Sequence, residues 1–287
     1  MAHLDVANLR DWIGRSETRS DEVTAAPVAA LAATLDIEIP YPEPGDPLPP
    51  LWHWLCFLPF PLQSELGPDG HARRGGFLPP VELPRRMWAG GRIDFYRPLR
   101  VGESIRRTSR IVDVKLKEGR TGPLVFVLLR HEIANEEGVR LVEEHDIVYR
   151  GNPQPGEPAP PPPIAPADAE WERIVTLDDV LLFRYSALTF NGHRIHYDRR
   201  YATETEGYPG LVVHGPLIAT LLVELVRASL PLPVIAKFEF RAASPIFDTA
   251  PFSVCGKREN DGKIVRLWAK SSAGTLATSA TAYLAEY

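Results

Sequence analysis

Cysteine is nearly absent from the 287-residue chain, which contains only Cys56 and Cys255. Two cysteines so far apart predict neither a zinc site nor a disulfide framework, and they suit a reducing cytoplasm. The chain also lacks an apolar run of the roughly 18 residues that a membrane span requires. Its first 21 residues carry charges throughout, with no apolar segment typical of a signal peptide. We therefore expect a cytoplasmic protein that does not insert into a membrane.

Strong net charge is absent as well, since the formal charge is only −5. A balance this close to neutrality gives no basic surface for nucleic acid, so no nucleic-acid partner is expected. Hydrophobic residues make up 44% of the chain, which is enough for a packed core, and the length suits one large domain or two ordinary ones.

Proline is abundant, and eight of the fourteen residues in 153–166 are proline. This composition predicts a stiff linker, although a polyproline ligand for another protein is an alternative. We expect an N-terminal domain at 1–152, the linker at 153–166 and a C-terminal domain at 167–287.

Each predicted domain contains a series of strand-like segments separated by turn residues. They are expected at 106–115, 124–135 and 139–150 in the first domain, and at 234–241, 252–258, 263–271 and 276–285 in the second. RIDFYRPL at 92–99 is similar to KFEFRAAS at 237–244, so the chain contains two related antiparallel meanders.

Helices are predicted at 22–35 and 177–188. The apolar segment 51–58 is predicted to be a buried strand or a docking segment. The Gly/Pro-rich stretch 67–86, which carries His71, is longer than a connection needs and suggests a lid or binding loop.

Polar groups that can move protons are concentrated in one region of the second domain. NGHRIHYD at 191–198 is followed by GLVVHGP at 210–216, and a long apolar helix is predicted from Pro216 onward. The N–H groups near Gly215 would then lie at a helix N-terminus, where they suit an anion or a developing oxyanion. The alternative is that Gly215 forms only a tight turn.

These segments resemble the hydratase motif of the MaoC-like hot-dog family, which comprises R-specific enoyl-CoA hydratases and 3-hydroxyacyl dehydratases. The resemblance implies that His196 is the catalytic histidine, and that the Gly215 N–H holds the thioester oxygen. Two positions depart from the family pattern: Asn191 stands where a catalytic aspartate is expected, and His193-Arg194 replaces Asn-Pro. The variant is similar to a two-domain subgroup that includes mesaconyl-C4-CoA and itaconyl-CoA hydratases. The implied fold is α+β, a double hot dog with two helix-wrapped antiparallel sheet halves, of which the first is degenerate and covers the ligand tunnel.

The candidate catalytic residues are therefore Asn191, His196 and Gly215. Asn191 can hold water or orient a histidine but cannot take a proton, so either His196 acts alone or an unassigned carboxylate assists it. Six residues are candidates for binding the substrate: Arg184, His193, Arg194, Tyr197, Arg199 and His214. The arginines could instead be a solvated surface, His214 a structural partner of the turn, Asn191-Gly192 a simple turn and Asp198 a helix cap. No metal is expected, because no third ligand stands at a suitable spacing from His193 and His196, and no cofactor is expected either.

The resemblance implies an acyl-CoA hydratase or dehydratase whose substrate is a short unsaturated thioester, with a second carboxylate that Arg194 would bind. The alternatives are a fatty-acid-type 3-hydroxyacyl-thioester dehydratase, a hot-dog thioesterase and a non-catalytic subunit that binds acyl thioesters. A homo-oligomer is expected in each case.

Overall fold

The computed structural model describes residues 6–73, 75–119, 122–152 and 161–285. The first part of the chain carries the strands β1 (Ser16–Glu22), β2 (Arg85–Phe95), β3 (Ser104–Gly119), β4 (Gly122–Asn135) and β5 (Gly138–Arg150). The second part carries β6 (Trp171–Val175), β7 (Ile235–Ala242), β8 (Phe252–Glu259), β9 (Ile264–Ser271) and β10 (Leu276–Leu284). The helices are α1 (Val6–Arg10), α2 (Ala25–Thr34), α3 (Asp179–Leu188) and α4 (Gly215–Ser229).

All ten strands belong to one sheet, in the order β1-β3-β4-β5-β2-β7-β10-β9-β8-β6. Every neighbouring pair is antiparallel, and the two halves meet where β2 pairs with β7, with Ile93 opposite Phe238. The two similar segments found in the sequence are therefore the strands that join the halves. This confirms the expected double hot-dog architecture and its α+β class.

The seven strands predicted from alternating apolar residues are all present. The strands β1, β2 and β6 were not among those predicted. The expected helix at 22–35 is wrong at its start, because residues 16–22 form β1 and α2 begins at Ala25. β1 is a charged edge strand in which every residue except Glu17 is exposed, so no apolar alternation marks it.

Helix α4 is buried on almost every side, from Leu217 through Val226. One face packs on the second half of the sheet, and the other is covered by the segment around Trp52 from the first half of the chain. The Trp52 indole donates to Glu224 Oε1 of α4 at 2.9 Å, which satisfies a polar group inside the core. The segment 51–58 is thus a docking segment. The strand alternative is wrong, since Trp52–Leu55 is a 3-10 helix.

The predicted linker falls largely outside the described residues, because 153–160 are not among them. The division into domains at 152 and 167 stays a prediction. Among the described residues, no helix combines the length and the apolar character that crossing a bilayer would take, and α4, with 15 residues, is the longest.

Candidate active site

His196 lies at the centre of the site, in a short 3-10 turn just before Tyr197, and is almost wholly buried. Its Nδ1 is 2.7 Å from the backbone oxygen of Val212, on the segment that leads into α4. A carbonyl oxygen can only accept, so Nδ1 carries the hydrogen and Nε2 keeps its lone pair. Burial lowers the pKa of His196 to about 4, although the hydrogen bond to Val212 opposes the shift. The ring is therefore a neutral base at neutral pH.

His214 stacks on His196 with the ring centroids 3.8 Å apart. Its Nε2 is 2.8 Å from Ser186 Oγ on α3, while Nδ1 has no hydrogen-bond partner among the described residues. Burial holds the pKa of His214 well below its usual value, and the neighbouring His196 adds to the shift. An unpaired buried nitrogen next to the candidate base is a group that a ligand could satisfy.

The N-terminus of α4 directly follows His214. Gly215 is the first helical residue and Pro216 the second, so the helix begins one residue before the predicted start at Pro216. The first N–H groups of a helix have no acceptor within it, and a Cβ added at Gly215 would meet no atom within 4 Å. The Cα of Gly215 is therefore unobstructed on its side-chain side, next to backbone donors at the positive end of the helix dipole.

Asn191 forms a turn in front of His196. Its Oδ1 accepts a hydrogen bond from the His193 backbone N–H at 3.0 Å, and its own N–H donates to the Ser186 carbonyl. The side chain therefore shapes the turn that presents His193. Its amide has no titratable proton, so the motif itself brings no carboxylate to this position.

A loop from the first half of the chain reaches this turn. The His71 ring lies 4.1 Å from the His193 ring, and His193 lies 5.4 Å from His196. Asp69 Oδ2 is 3.1 Å from His71 Nδ1, and this hydrogen bond holds the pKa of Asp69 well below its usual value. Burial is the main cause that lowers the pKa of His193 to about 2, followed by the neighbouring imidazoles.

Close backbone contacts hold this loop in place. The Arg194 N–H donates to the Asp69 carbonyl at 2.9 Å, and Arg194 Nη1 donates to the Pro68 carbonyl at the same distance. Gly70 lies so near Gly192 that an added Cβ would stand 1.8 Å from the Gly192 oxygen. The two halves of the chain are thus in backbone contact at the site.

The remaining predicted substrate-binding residues are occupied elsewhere or exposed. Arg194 donates through Nε and Nη2 to Asp198 and stacks over Tyr201, and the Tyr197 hydroxyl donates to the Gly192 carbonyl. Arg199 pairs with Asp179 and Asp248, and Arg184 is exposed on α3. Asp198 caps the following turn through the Tyr201 N–H, as expected. Of the six predicted substrate-binding residues, the structure brings only His193 and His214 up to His196.

The sequence did not predict the roles of Asp69, His71 and Ser186, although the length of the 67–86 loop pointed to a binding element. Donor atoms of Asp69, His71 and His193 all lie within 4.8 Å of one another, so they could hold a metal ion. The expectation that no metal binds was based on chain spacing around His193 and His196. This group joins His193 to two residues from over 100 positions earlier and does not include His196, so the expectation stays a prediction.

A cleft of about 650 Å³ opens on the other side of the docked loop. It is bordered by Asp69 and Arg73 from the loop and by Tyr201 and Glu206 from the second half of the chain. The cleft brings solvent to the outer side of the Asp69–His71 pair, whereas His196 lies on the buried side.

Comparisons with known proteins agree with this geometry. The family profile described as hydroxyacyl-thioester dehydratase type 2 matches residues 51–248. Mesaconyl-C(4)-CoA hydratase of Chloroflexus aurantiacus is 49% identical over 98% of this chain and 99% of its own. A MaoC-like dehydratase structure from Phytophthora capsici has a TM-score of 0.67 at 13% identity, covering 99% of this chain and all of that one. A double hot-dog protein of Mycobacterium tuberculosis has a TM-score of 0.55 at 15% identity, covering 95% and 96%.

Proposed function

Because the chain belongs to the hydroxyacyl-thioester dehydratase type 2 family of MaoC-like hot-dog proteins, we propose that it hydrates mesaconyl-C4-CoA. Water adds reversibly across the C=C bond, with the hydroxyl on the β-carbon and the proton on the α-carbon. The observation that carries the substrate is the near full-length similarity to the Chloroflexus hydratase. The chemistry is supported by a neutral imidazole beside the N-terminus of a buried helix.

Polarisation of the thioester carbonyl is assigned to the N-terminus of α4. Negative charge moves onto the thioester oxygen as water attacks, and backbone donors aimed at that oxygen stabilise it more in the transition state than in the ground state. The absence of a side chain at Gly215, with no atom within 4 Å of where a Cβ would stand, favours close approach of the substrate to this helix end.

Deprotonation of the attacking water is assigned to His196. Its hydrogen bond to Val212 leaves Nε2 as the proton acceptor, and its lowered pKa keeps it unprotonated at neutral pH. His214 supports the face of this ring, and its unpaired Nδ1 is available to the substrate or to water.

Recognition of the second carboxylate requires a cation near the reacting carbon, since in mesaconyl-C4-CoA that carboxylate is attached to the β-carbon. Arg194 is engaged by Asp198 and Pro68. Arg86, which is exposed on β2, is a second candidate, because burial is the main cause of the low His193 pKa and the Arg86 charge adds to it. The two arginine variants described below decide between Arg86 and Arg194.

The activity is tested by mixing the protein with mesaconyl-C4-CoA, itaconyl-CoA and crotonyl-CoA. Loss of the enoyl absorbance without free thiol, fastest for mesaconyl-C4-CoA, is the expected result. Release of thiol would identify a thioesterase, and binding without turnover would identify a non-catalytic subunit. Equal kcat/KM for crotonyl-CoA and mesaconyl-C4-CoA would contradict the preference for a second carboxylate.

Two arginine variants locate the origin of that preference. Arg86→Gln should lower kcat/KM for mesaconyl-C4-CoA by about tenfold or more while leaving crotonyl-CoA nearly unchanged, because it removes a charge-assisted contact to the carboxylate only. Arg194→Ala should lower both values together, because it loosens the docked loop. A preference that survives Arg86→Gln and disappears in Arg194→Ala would return the role to Arg194.

The substrate class implies a CoA thioester as the partner of this site. The homo-oligomer and the cytoplasmic location stay predictions. Cys56 and Cys255 are both free and buried, which is compatible with a reducing compartment.

A further inference from the structure

Hydration moves two protons, one away from the attacking water and one onto the α-carbon. His196 can take the first. Asn191 can neither give nor take a proton, so the motif lacks a second titratable group at the position where the family pattern has a carboxylate. A carboxylate that serves this position must therefore come from outside the motif.

The first half of the chain supplies one. Asp69 and His71 form a carboxylate–imidazole pair with 3.1 Å between Oδ2 and Nδ1. Asp69 also accepts the His71 backbone N–H through Oδ1, so the pair is ordered internally. An ionised carboxylate only accepts, and it therefore fixes the hydrogen on His71 Nδ1.

The pair faces the site on one side and solvent on the other. His71 stacks on His193, and His193 contacts His196 edge to face. Side-chain exposure rises outward, from the buried His196 to 26% at His71 and 40% at Asp69. Asp69 borders the solvent-filled cleft. A group in this position can exchange protons with water between turnovers while it faces the reaction.

The docking of the loop is too close to be incidental. The Gly70–Gly192 contact and the two hydrogen bonds from Arg194 to Pro68 and Asp69 place the pair at a fixed position relative to the motif. Proton transfer needs such fixed geometry, because a shift of about 1 Å can cost on the order of 10²-fold in rate.

We propose that Asp69 and His71 are the second acid–base group of this site and take the place of the carboxylate that Asn191 lacks. The assignment depends on the hydratase function proposed above. It makes the site a product of both halves of the chain.

The proton balance closes in one cycle. His196 Nε2 takes a proton from water as the water oxygen bonds to the β-carbon, and the C=C electrons move toward the thioester oxygen. His71 gives a proton from Nε2 to the α-carbon, while the Asp69 carboxylate holds the hydrogen on Nδ1. The proton on His196 returns to His71 through His193 or water, which restores the starting state.

Four variants test the assignment with mesaconyl-C4-CoA as the probe. Asp69→Asn keeps the shape and the hydrogen bond from the His71 N–H, and His71→Asn keeps a polar amide without a titratable ring. Each should lower kcat on the order of 10²-fold or more with little change in KM. Glu65→Gln is the matched control, since it neutralises a carboxylate on the same loop that caps Leu62, and it should keep the wild-type rate. His71→Ala should regain activity when imidazole is added, whereas a failure of added imidazole to restore it would give His71 a structural role and overturn the proposal.

Moving the carboxylate gives an independent test. In the Asp69→Asn background, Asn191→Asp should restore kcat by about tenfold or more, because the carboxylate then stands at the family position next to His193. No recovery would overturn the claim that Asp69 replaces it.

A chelator distinguishes proton transfer from metal binding by Asp69, His71 and His193. Full activity after EDTA dialysis supports proton transfer. Loss of activity that Zn²⁺ restores would make these three residues metal ligands and overturn the proposal.

Different results would refute the hydratase function and the role of Asp69 and His71 in proton transfer. If the wild-type protein hydrates none of the thioesters, the proposed function fails and this inference falls with it. If the wild type is active and both the Asp69 and His71 variants keep its rate, only the second acid–base group is refuted.

Discussion

At the scale of single residues, His196 illustrates how one hydrogen bond determines a chemical role. The Val212 carbonyl holds the hydrogen on Nδ1, and burial keeps the ring uncharged. An uncharged imidazole with a lone pair on Nε2 can accept a proton, and in the proposed mechanism its position beside the N-terminus of α4 brings it to the thioester.

We predict that His196→Ala lowers kcat by 10²–10⁴-fold, the typical loss on removing a general acid–base group. Circular dichroism and thermal unfolding should show a folded protein, because the alanine removes a ring without leaving a buried charge. A folded variant with a nearly wild-type rate would remove His196 from the mechanism.

The pH profile should reflect the same burial. Because the pKa of His196 is lowered to about 4, its base form persists below pH 6.5, where an ordinary histidine is half protonated. We predict that kcat/KM shows no loss attributable to His196 near pH 6.5, and that this base is lost only as the pH falls toward 4. Samples returned to pH 7 before assay control for acid unfolding. In the Asn191→Asp variant, the acid limb of the kcat/KM profile should move to higher pH, since a neighbouring negative charge favours the protonated ring of His196.

At the scale of elements, the loop of residues 67–72 acts as part of the active site through its backbone. Its contacts with the turn at 191–194 are main-chain to main-chain at Gly70 and Gly192, and they leave no room for a side chain. The loop is thereby fixed to the turn that carries His193 rather than hinged above it.

Two glycine variants, Gly70→Ala on this loop and Gly75→Ala just after it, separate strain from contact. Gly70 and Gly75 both have positive φ, +87° and +105°, so alanine strains either position, by about 1 kcal/mol or somewhat more. Only Gly70→Ala also collides with the Gly192 carbonyl, whereas a Cβ at Gly75 meets nothing within 4 Å. We predict that Gly70→Ala lowers kcat/KM on the order of 10²-fold and Gly75→Ala changes it little. Equal rates in the two variants would show that docking of the loop is dispensable.

At the scale of the whole molecule, the two halves share one core. The largest cluster of buried apolar residues includes Trp52, Ile93 and Leu141 from the first half as well as α4 and β7 to β10 from the second. Strand β7 pairs with β2 on one side and β10 on the other, so separating the halves would uncover a strand edge in the middle of the sheet.

We predict that residues 167–287 produced alone are poorly stable and inactive. The fragment would expose the β7 edge and the face of α4 that Trp52 covers, and it would lack Asp69 and His71. Size-exclusion chromatography, thermal unfolding and the hydration assay check this outcome. A stable fragment with full activity would show that the first half is dispensable, and adding back residues 1–166 should otherwise restore some turnover.

The sequence alone determined most of the scaffold and located the candidate base, His196. Apolar alternation located seven strands, the repeated segments located the junction of the halves, and the His-Gly-Pro turn located the start of α4. These features are local: they depend on the 2.0- and 3.6-residue periods of strands and helices and on the chemistry of capping and turns. β1 was missed because an exposed edge strand has no buried face to mark it.

Only the tertiary structure decided which side chains meet. Arg194 looked like a carboxylate ligand by its place in the motif, yet Asp198 and Pro68 occupy its donors. Asp69 and His71 lie over 100 residues before the motif, and no periodicity links them to His193. Their approach depends on the β2–β7 pairing and on the absence of side chains at Gly70 and Gly192. Contacts of this kind are set by the three-dimensional packing of distant segments, which local sequence patterns do not encode.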